Sequence, residues 1–122
     1  MAKVLLIDDH ADLRDVIEQL LKMHGHTVEC RANADDALED VRQTRPDVLI
    51  VDQRLPGMSG LELLRVIRRD QSLASLSVII CSADDSSRDE ARLAGAQDFW
   101  VKGSEKLMEQ IAQLDGFVGA SN

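Results

Sequence analysis

Tyrosine is absent, and two Phe and one Trp make up the whole aromatic content, 2% of 122 residues. A core must therefore come from Leu, Ile, Val and Ala, for which an apolar fraction of 44% is ample. Cysteine is nearly absent too. Cys30 and Cys81 both lie in apolar segments, and two such residues fit neither a zinc site nor a disulfide framework. They read as reduced core thiols. No run approaches the ~18 consecutive apolar residues that a membrane span needs. Met1-Ala2-Lys3 leads straight into an apolar strand, with no room for a signal peptide, so a cytoplasmic protein is expected. Bases are outnumbered, 14 against 22 acids, for a net charge of −8. Direct nucleic-acid binding, which needs a basic face, is not expected. There is no internal repeat or low-complexity tract, and the length suits one domain.

Apolar strand-like and helix-like segments alternate five times along the chain. Strands are expected at residues 3–8, 27–31, 47–51, 76–81 and 97–101. Between the first two, Leu13, Val16, Ile17, Leu20 and Leu21 form one helical stripe over residues 12–24, stopped by Gly25. Asn33 is a candidate N-cap for a helix that turns Ala34, Ala37, Leu38 and Val41 to one side. Gly60 introduces a third helix, with Leu61, Leu64 and Ile67 inward and Arg65, Arg68 and Arg69 on a wet face. A fourth, residues 86–94, is poor in large apolar side chains and ends at Gly95. Ser104 is placed as the cap of a last helix aligning Leu107, Met108, Ile111 and Leu114. Gly116 would stop it, and Phe117 would fold back on it.

Repeated βα units imply a parallel sheet with helices on both faces. Five strands in this length suit a flavodoxin-like (βα)5 doubly wound sheet in the order 2-1-3-4-5. Strands 1 and 3 are then neighbours, and Asp8, Asp9 and Asp52 converge at one rim. Ligands of open α/β sheets bind at that rim. Like charges so close resist ionising together unless a cation joins them, so a hard-metal site around a reactive aspartate is expected. Strand 4 adds Ser82 and strand 5 adds Lys102. Taken singly, Asp8 and Asp9 could cap a helix, Ser82 could be a turn residue and Lys102 a solvated strand end. The set is what is specific. His10, His24 and His26 read as exposed loop or helix-end residues. Trp100 alternates to the face opposite Phe99 and reads as core.

Leu6-Ile7-Asp8-Asp9, Val51-Asp52, Leu55-Pro56-Gly57-Met58-Ser59-Gly60, Ser82-Ala83, Gly95-Ala96 and Phe99 followed by Lys102 occur in that order. In these pieces the chain resembles a two-component response-regulator receiver domain of the CheY-like kind, over about residues 3–118. The expected domain is 1–118, with 119–122 a short tail. The resemblance implies that Asp52 accepts a phosphoryl group from a sensor histidine kinase or a histidine phosphotransfer protein. Asp9 and Asp52 would bind Mg²⁺, Asp8 would act mainly through a bound water, and the backbone carbonyl of Arg54 would supply a further oxygen. Lys102 would pair with Asp52 and then with the phosphoryl group. Ser82 would bond that group and, with Phe99, form the switch to an output face of helix 4, strand 5 and helix 5, which controls an output protein or domain. Arg54 and Asp84 would tune the phosphoryl lifetime, their charges pairing across the entrance.

The family usually has a cis-linked Pro after the lysine, where this chain has Gly103. A trans Lys102–Gly103 bond is expected, since a cis bond before a non-proline residue costs roughly 2.5–4 kcal/mol. The departure leaves an alternative, an atypical receiver that signals by protein contact without phosphate. Two other classes are disfavoured by what is missing. A haloacid-dehalogenase-type phosphohydrolase needs an Asp where Arg54 stands. A nucleotide-binding Rossmann or flavodoxin domain needs a Gly-rich turn where Asp8-Asp9-His10-Ala11 stands.

Overall fold

Five parallel strands form a single sheet in the order β2-β1-β3-β4-β5. The structure is a computed structural model and describes residues 2–114. The strands are β1 (Lys3–Ile7), β2 (Thr27–Arg31), β3 (Val48–Asp52), β4 (Ser77–Ser82) and β5 (Asp98–Val101). Between and after them run α1 (Ala11–Met23), α2 (Ala37–Thr44), α3 (Gly60–Arg69), α4 (Arg88–Ala94) and α5 (Leu107–Ala112). This is the expected flavodoxin-like arrangement. Gly116, Phe117 and the expected domain end at 118 lie outside the described residues.

Strand alternation sorts the apolar residues to two faces. Leu5, Ile7, Leu49, Val51, Ile80 and Phe99 share one cluster with the inward residues of α2, α3 and α4. Val4, Leu6, Ile50, Ile79, Cys81 and Trp100 share the other with α1 and α5. β1, β3 and β4 are sealed on both faces, which is why they read as unbroken apolar runs. Edge strand β2 is only half-buried and correspondingly polar. Among the described residues, no helix is long and apolar enough to cross a membrane.

Several local expectations need correction. Val16 is 51% exposed and Met108 62% exposed, although both were placed on inward stripes. α1 buries only Ile17 and Leu21, one turn apart, and α5 only Leu107 and Ile111, so each helix meets the sheet along a narrower line than its apolar content allows. Asn33 does not cap α2. Its Oδ1 accepts from Asp35 N at 3.0 Å in a local turn, and the helix starts at Ala37. Ser104 stands one turn ahead of α5, its Oγ accepting from Lys106 N at 3.1 Å. His26 is buried, with Nδ1 accepting from Ala2 N at 3.0 Å.

Arg68 is half-buried rather than part of the wet face of α3. Its guanidinium donates to the carbonyls of Gly95, Ala74 and Leu76 and so ties α3 to the approaches of β4 and β5. Burial lowers its pKa from the usual arginine value. Arg65 does lie outside, paired with Glu90 of α4 at 2.7 Å. α3 opens with a capping box on Ser59 and Glu62, a pattern present in Ser59-Gly60-Leu61-Glu62 that the reading from Gly60 alone passes over.

Candidate functional site

Parallel registry carries the acids to one rim. Ile7 of β1 sits beside Val51 of β3, so the next residues, Asp8 and Asp52, are neighbours. Both are buried, at 1% and 3% exposure, whereas Asp9 opens to solvent. Asp52 pairs with Cys81, so Ser82 falls one step beyond it on β4. Ser82 pairs with Val101, and Lys102 follows directly, its N–H donating to Ser82 O at 2.7 Å. The four expected strand ends therefore meet.

Lys102 Nζ lies 2.8 Å from Asp52 Oδ2 and 3.0 Å from Asp8 Oδ2. One ammonium thus bridges two buried carboxylates. Burial raises the Asp52 pKa above the ordinary carboxylate value, against the pull of the Lys102 hydrogen bond. For Lys102, burial works downward, but its bonds to Asp52 and Asp8 outweigh it and the net shift is upward. Cys81 next door is inert. Burial pushes its thiol up to about 12, and a thiol that stays protonated is a poor nucleophile.

The backbone around Asp52 is tightly held. Gln53 N donates to Cys81 O at 2.8 Å, and Gly60 N to Gln53 O at 3.0 Å. A Cβ on Gly60 would stand 2.8 Å from the Asp52 carbonyl oxygen, so α3 can start this close only with glycine. Arg54 N donates to Asp52 Oδ1 at 3.3 Å. The Lys102–Gly103 peptide is trans as expected, and Gly103 has φ +74°, a conformation side chains disfavour. Lys102 thus reaches both acids without the family's proline.

A cavity of about 510 Å³ opens beside Asp52, between the β3–α3 and β4–α4 loops, with Arg54, Met58, Ser82, Asp84 and Ser87 among its walls. No other described residue hydrogen-bonds the Ser82 side chain, although Ser82 is 7% exposed. The expected Arg54–Asp84 ion pair is not formed. Asp84 instead accepts from Ser86 N at 2.9 Å and Ser86 Oγ at 2.6 Å. Those bonds hold its carboxyl below the usual range, with a smaller contribution from the charge of Arg54. Phe99 is 3% exposed, facing the α2–α4 side, with the Arg88 guanidinium 5.1 Å from its ring centroid. Trp100 is fully buried on the other face and donates from Nε1 to Asp98 Oδ2 at 3.0 Å.

His10 is exposed at the start of α1, as expected. Its Nδ1 points at the acids, 3.1 Å from Asp9 Oδ1 and 3.8 Å from Asp52 Oδ2. Its position directly after Asp8-Asp9 was the available signal. Asp8, Asp9, His10 and Asp52 each offer a ligand atom, all within 4.8 Å of one another. Three carboxylates at that spacing fit a small hard cation, which takes oxygen ligands and retains waters.

The chain is similar to known proteins in sequence and in fold. The sequence profile of the response regulator receiver domain matches residues 4–112. The chain is 36% identical over 120 residues to the chemotaxis protein CheY of Pseudomonas aeruginosa, covering 92% of this chain and 94% of that protein. The chemotaxis response regulator CheY4 of Vibrio cholerae superposes with a TM-score of 0.83 at 28% identity, over 97% of this chain and 98% of the other. The receiver domain of the sensor histidine kinase PA1611 from Pseudomonas aeruginosa, solved with a magnesium ion coordinated in its active site cleft, superposes with a TM-score of 0.83 at 26% identity over the same shares.

Proposed function

This chain belongs to the response regulator receiver domain family of two-component systems, and we propose that Asp52 is its phosphoacceptor. The observation that carries this reading is the position of Lys102 Nζ between Asp52 Oδ2 and Asp8 Oδ2. A buried carboxylate held beside a fixed ammonium is a nucleophile in a pocket already arranged for negative charge. In the reaction a carboxylate oxygen of Asp52 attacks the phosphorus of a phosphohistidine in line. The P–N bond breaks as the P–O bond forms, and the electron pair leaves with the imidazole of a sensor kinase or phosphotransfer protein. Catalysis of such a transfer is mostly positioning and charge neutralisation.

Asp9 and Asp52, with Asp8 through water and the Arg54 carbonyl, would hold Mg²⁺, which when bound neutralises charge on the phosphoryl oxygens. Lys102 passes from the carboxylates to a phosphoryl oxygen. Ser82, at the wall of the cavity beside Asp52, donates its hydroxyl to the same group. That bond draws β4 toward the site and shifts the packing around Phe99, which has no hydroxyl and reports only through contacts. α4, β5 and α5 carry the output. α4 suits that task, since Ala91 is its only buried residue and Leu93 stays 84% exposed. Arg54 and Asp84 flank the cavity from which water would reach the acyl phosphate and so set its lifetime.

The test is phosphorylation of the chain by a small phosphodonor with Mg²⁺, read by intact mass. One phosphoryl adduct on wild type and none on Asp52→Asn is expected. An adduct of equal yield on Asp52→Asn removes Asp52 from this role. No adduct on wild type, with kinase and phosphotransfer donors also inactive, favours signalling by protein contact alone.

A further inference from the structure

His10 has no task in the reading above. Its backbone N–H donates to Asp8 Oδ1 at 2.8 Å, which curls the chain back over Asp8 just before α1. That turn sets the imidazole on the side of the carboxylates. Nδ1 then lies 3.1 Å from Asp9 Oδ1, 3.5 Å from Asp8 Oδ1 and 3.8 Å from Asp52 Oδ2. The ring is 68% exposed, and an exposed imidazole drawn to one acid would be ordinary. This one approaches three carboxylates delivered by two strands. Asp8 divides its oxygens, Oδ2 to Lys102 and Oδ1 toward His10. His10 and Lys102 therefore occupy separate parts of the cluster, and a metal ion near His10 does not require Lys102 to leave.

A nitrogen donor changes what the cluster selects. Carboxylate, carbonyl and water oxygens suit Mg²⁺, whereas imidazole favours first-row transition ions. Resting on the cation-site reading given above, we propose that His10 is a further protein ligand of the ion held by Asp8, Asp9 and Asp52, and that it biases the site toward divalent ions such as Co²⁺ over Mg²⁺. A neutral imidazole binds the ion through Nδ1 and keeps its proton on Nε2. The ligand atoms of the four residues, within 4.8 Å of one another, have only a short distance to close around it.

The experiment is calorimetric titration of the full chain with Mg²⁺ and with Co²⁺, for wild type, His10→Ala and Asp52→Asn. His24 and His26 are present in all three. Loss of His10 is expected to weaken Co²⁺ by about tenfold or more, the scale on which metal sites respond to altered ligation, and Mg²⁺ by less than about threefold. Retained Mg²⁺ affinity shows that the variant is folded. In wild type, Co²⁺ should also shift the proton resonances of the His10 ring. Equal Co²⁺ affinity in wild type and His10→Ala, or a parallel loss of both ions, overturns the role of His10 while leaving the cation site standing. If wild type binds neither ion, or binds both as well after Asp52→Asn, the cation-site reading fails and this proposal with it.

Discussion

The Lys102 ammonium stands 2.8 Å from Asp52 Oδ2 although the two residues are 50 positions apart in the chain. It also lies 3.0 Å from Asp8 Oδ2, so one positive charge serves two buried acids. Removing it by Lys102→Met leaves those acids facing each other with no fixed cation. Breaking a buried ion pair from one side typically costs about 3–5 kcal/mol. Unfolding in urea at pH 7 should show a loss near the lower end of that range, since proton uptake by one acid offers relief. The loss should shrink in acid, where protonation of Asp52, already favoured by burial, removes one of the facing charges. A pH-independent loss would mean that packing of the lysine stem, not charge, is at stake.

Asp52 itself is expected to oppose stability at neutral pH. Burial raises its pKa in the folded state, so the folded chain holds this proton more firmly than the unfolded chain. The resulting stabilisation is complete below the unfolded carboxylate value. It is lost as pH rises through the higher folded value. Asp52→Asn, which removes the charge, keeps the shape and leaves Lys102 paired with Asp8, should therefore be more stable than wild type at pH 7, with the difference vanishing in acid. Paired urea titrations at pH 3.5 and 7 check the sign.

Gly60→Ala tests how closely α3 presses on the site. The added Cβ would meet the Asp52 carbonyl oxygen at 2.8 Å, and the Gln53 and Asp52 backbone atoms around it cannot swing aside. Overpacking of this kind costs about 1–3 kcal/mol. Because the obstacle is the Asp52 backbone, phosphorylation by a small phosphodonor should slow as well. A stability loss with an unchanged phosphorylation rate would show that the strain is relieved away from Asp52.

Arg68 supports the frame from the far end of α3. Arg68→Leu keeps much of the buried stem but strips donors from the carbonyls of Gly95, Ala74 and Leu76. Part-buried acceptors left unpaired cost about 1–3 kcal/mol each at most, and water can reach some of them, so a total of about 2–3 kcal/mol is expected. Thermal or urea unfolding reads it. Arg69, exposed on the same helix, provides the control, and Arg69→Leu should change stability by less than about 0.5 kcal/mol.

Asp8, Asp9, Asp52, Ser82 and Lys102 were legible because each ends an apolar run, and runs in a βα-alternating chain must lie side by side. Phe99 and Trp100 were correctly sent to opposite faces by simple alternation. Arg68 and His26 depart from their expected exposure for a common reason. Their partners include Gly95 and Ala2, each far away in the chain, and local periodicity carries no information about such pairs. The expected Arg54–Asp84 ion pair fails in the opposite direction. Opposite charges near one entrance suggested a pair, but Ser86, two residues from Asp84, offers it two short bonds that need no bridging of the cavity.

Order along the chain was enough for the (βα)5 architecture, the sheet order and the rim at which the acids gather, because hydrophobic periodicity dictates which elements form and strand alternation dictates which faces they bury. Distances were beyond its reach. Whether one ammonium reaches two carboxylates, whether Gly103 can replace a proline in aiming Lys102, and whether an imidazole turns toward the acids or away depend on how packed layers settle against one another. Those contacts are made across the sheet rather than along the chain, and only the assembled fold holds the groups in place.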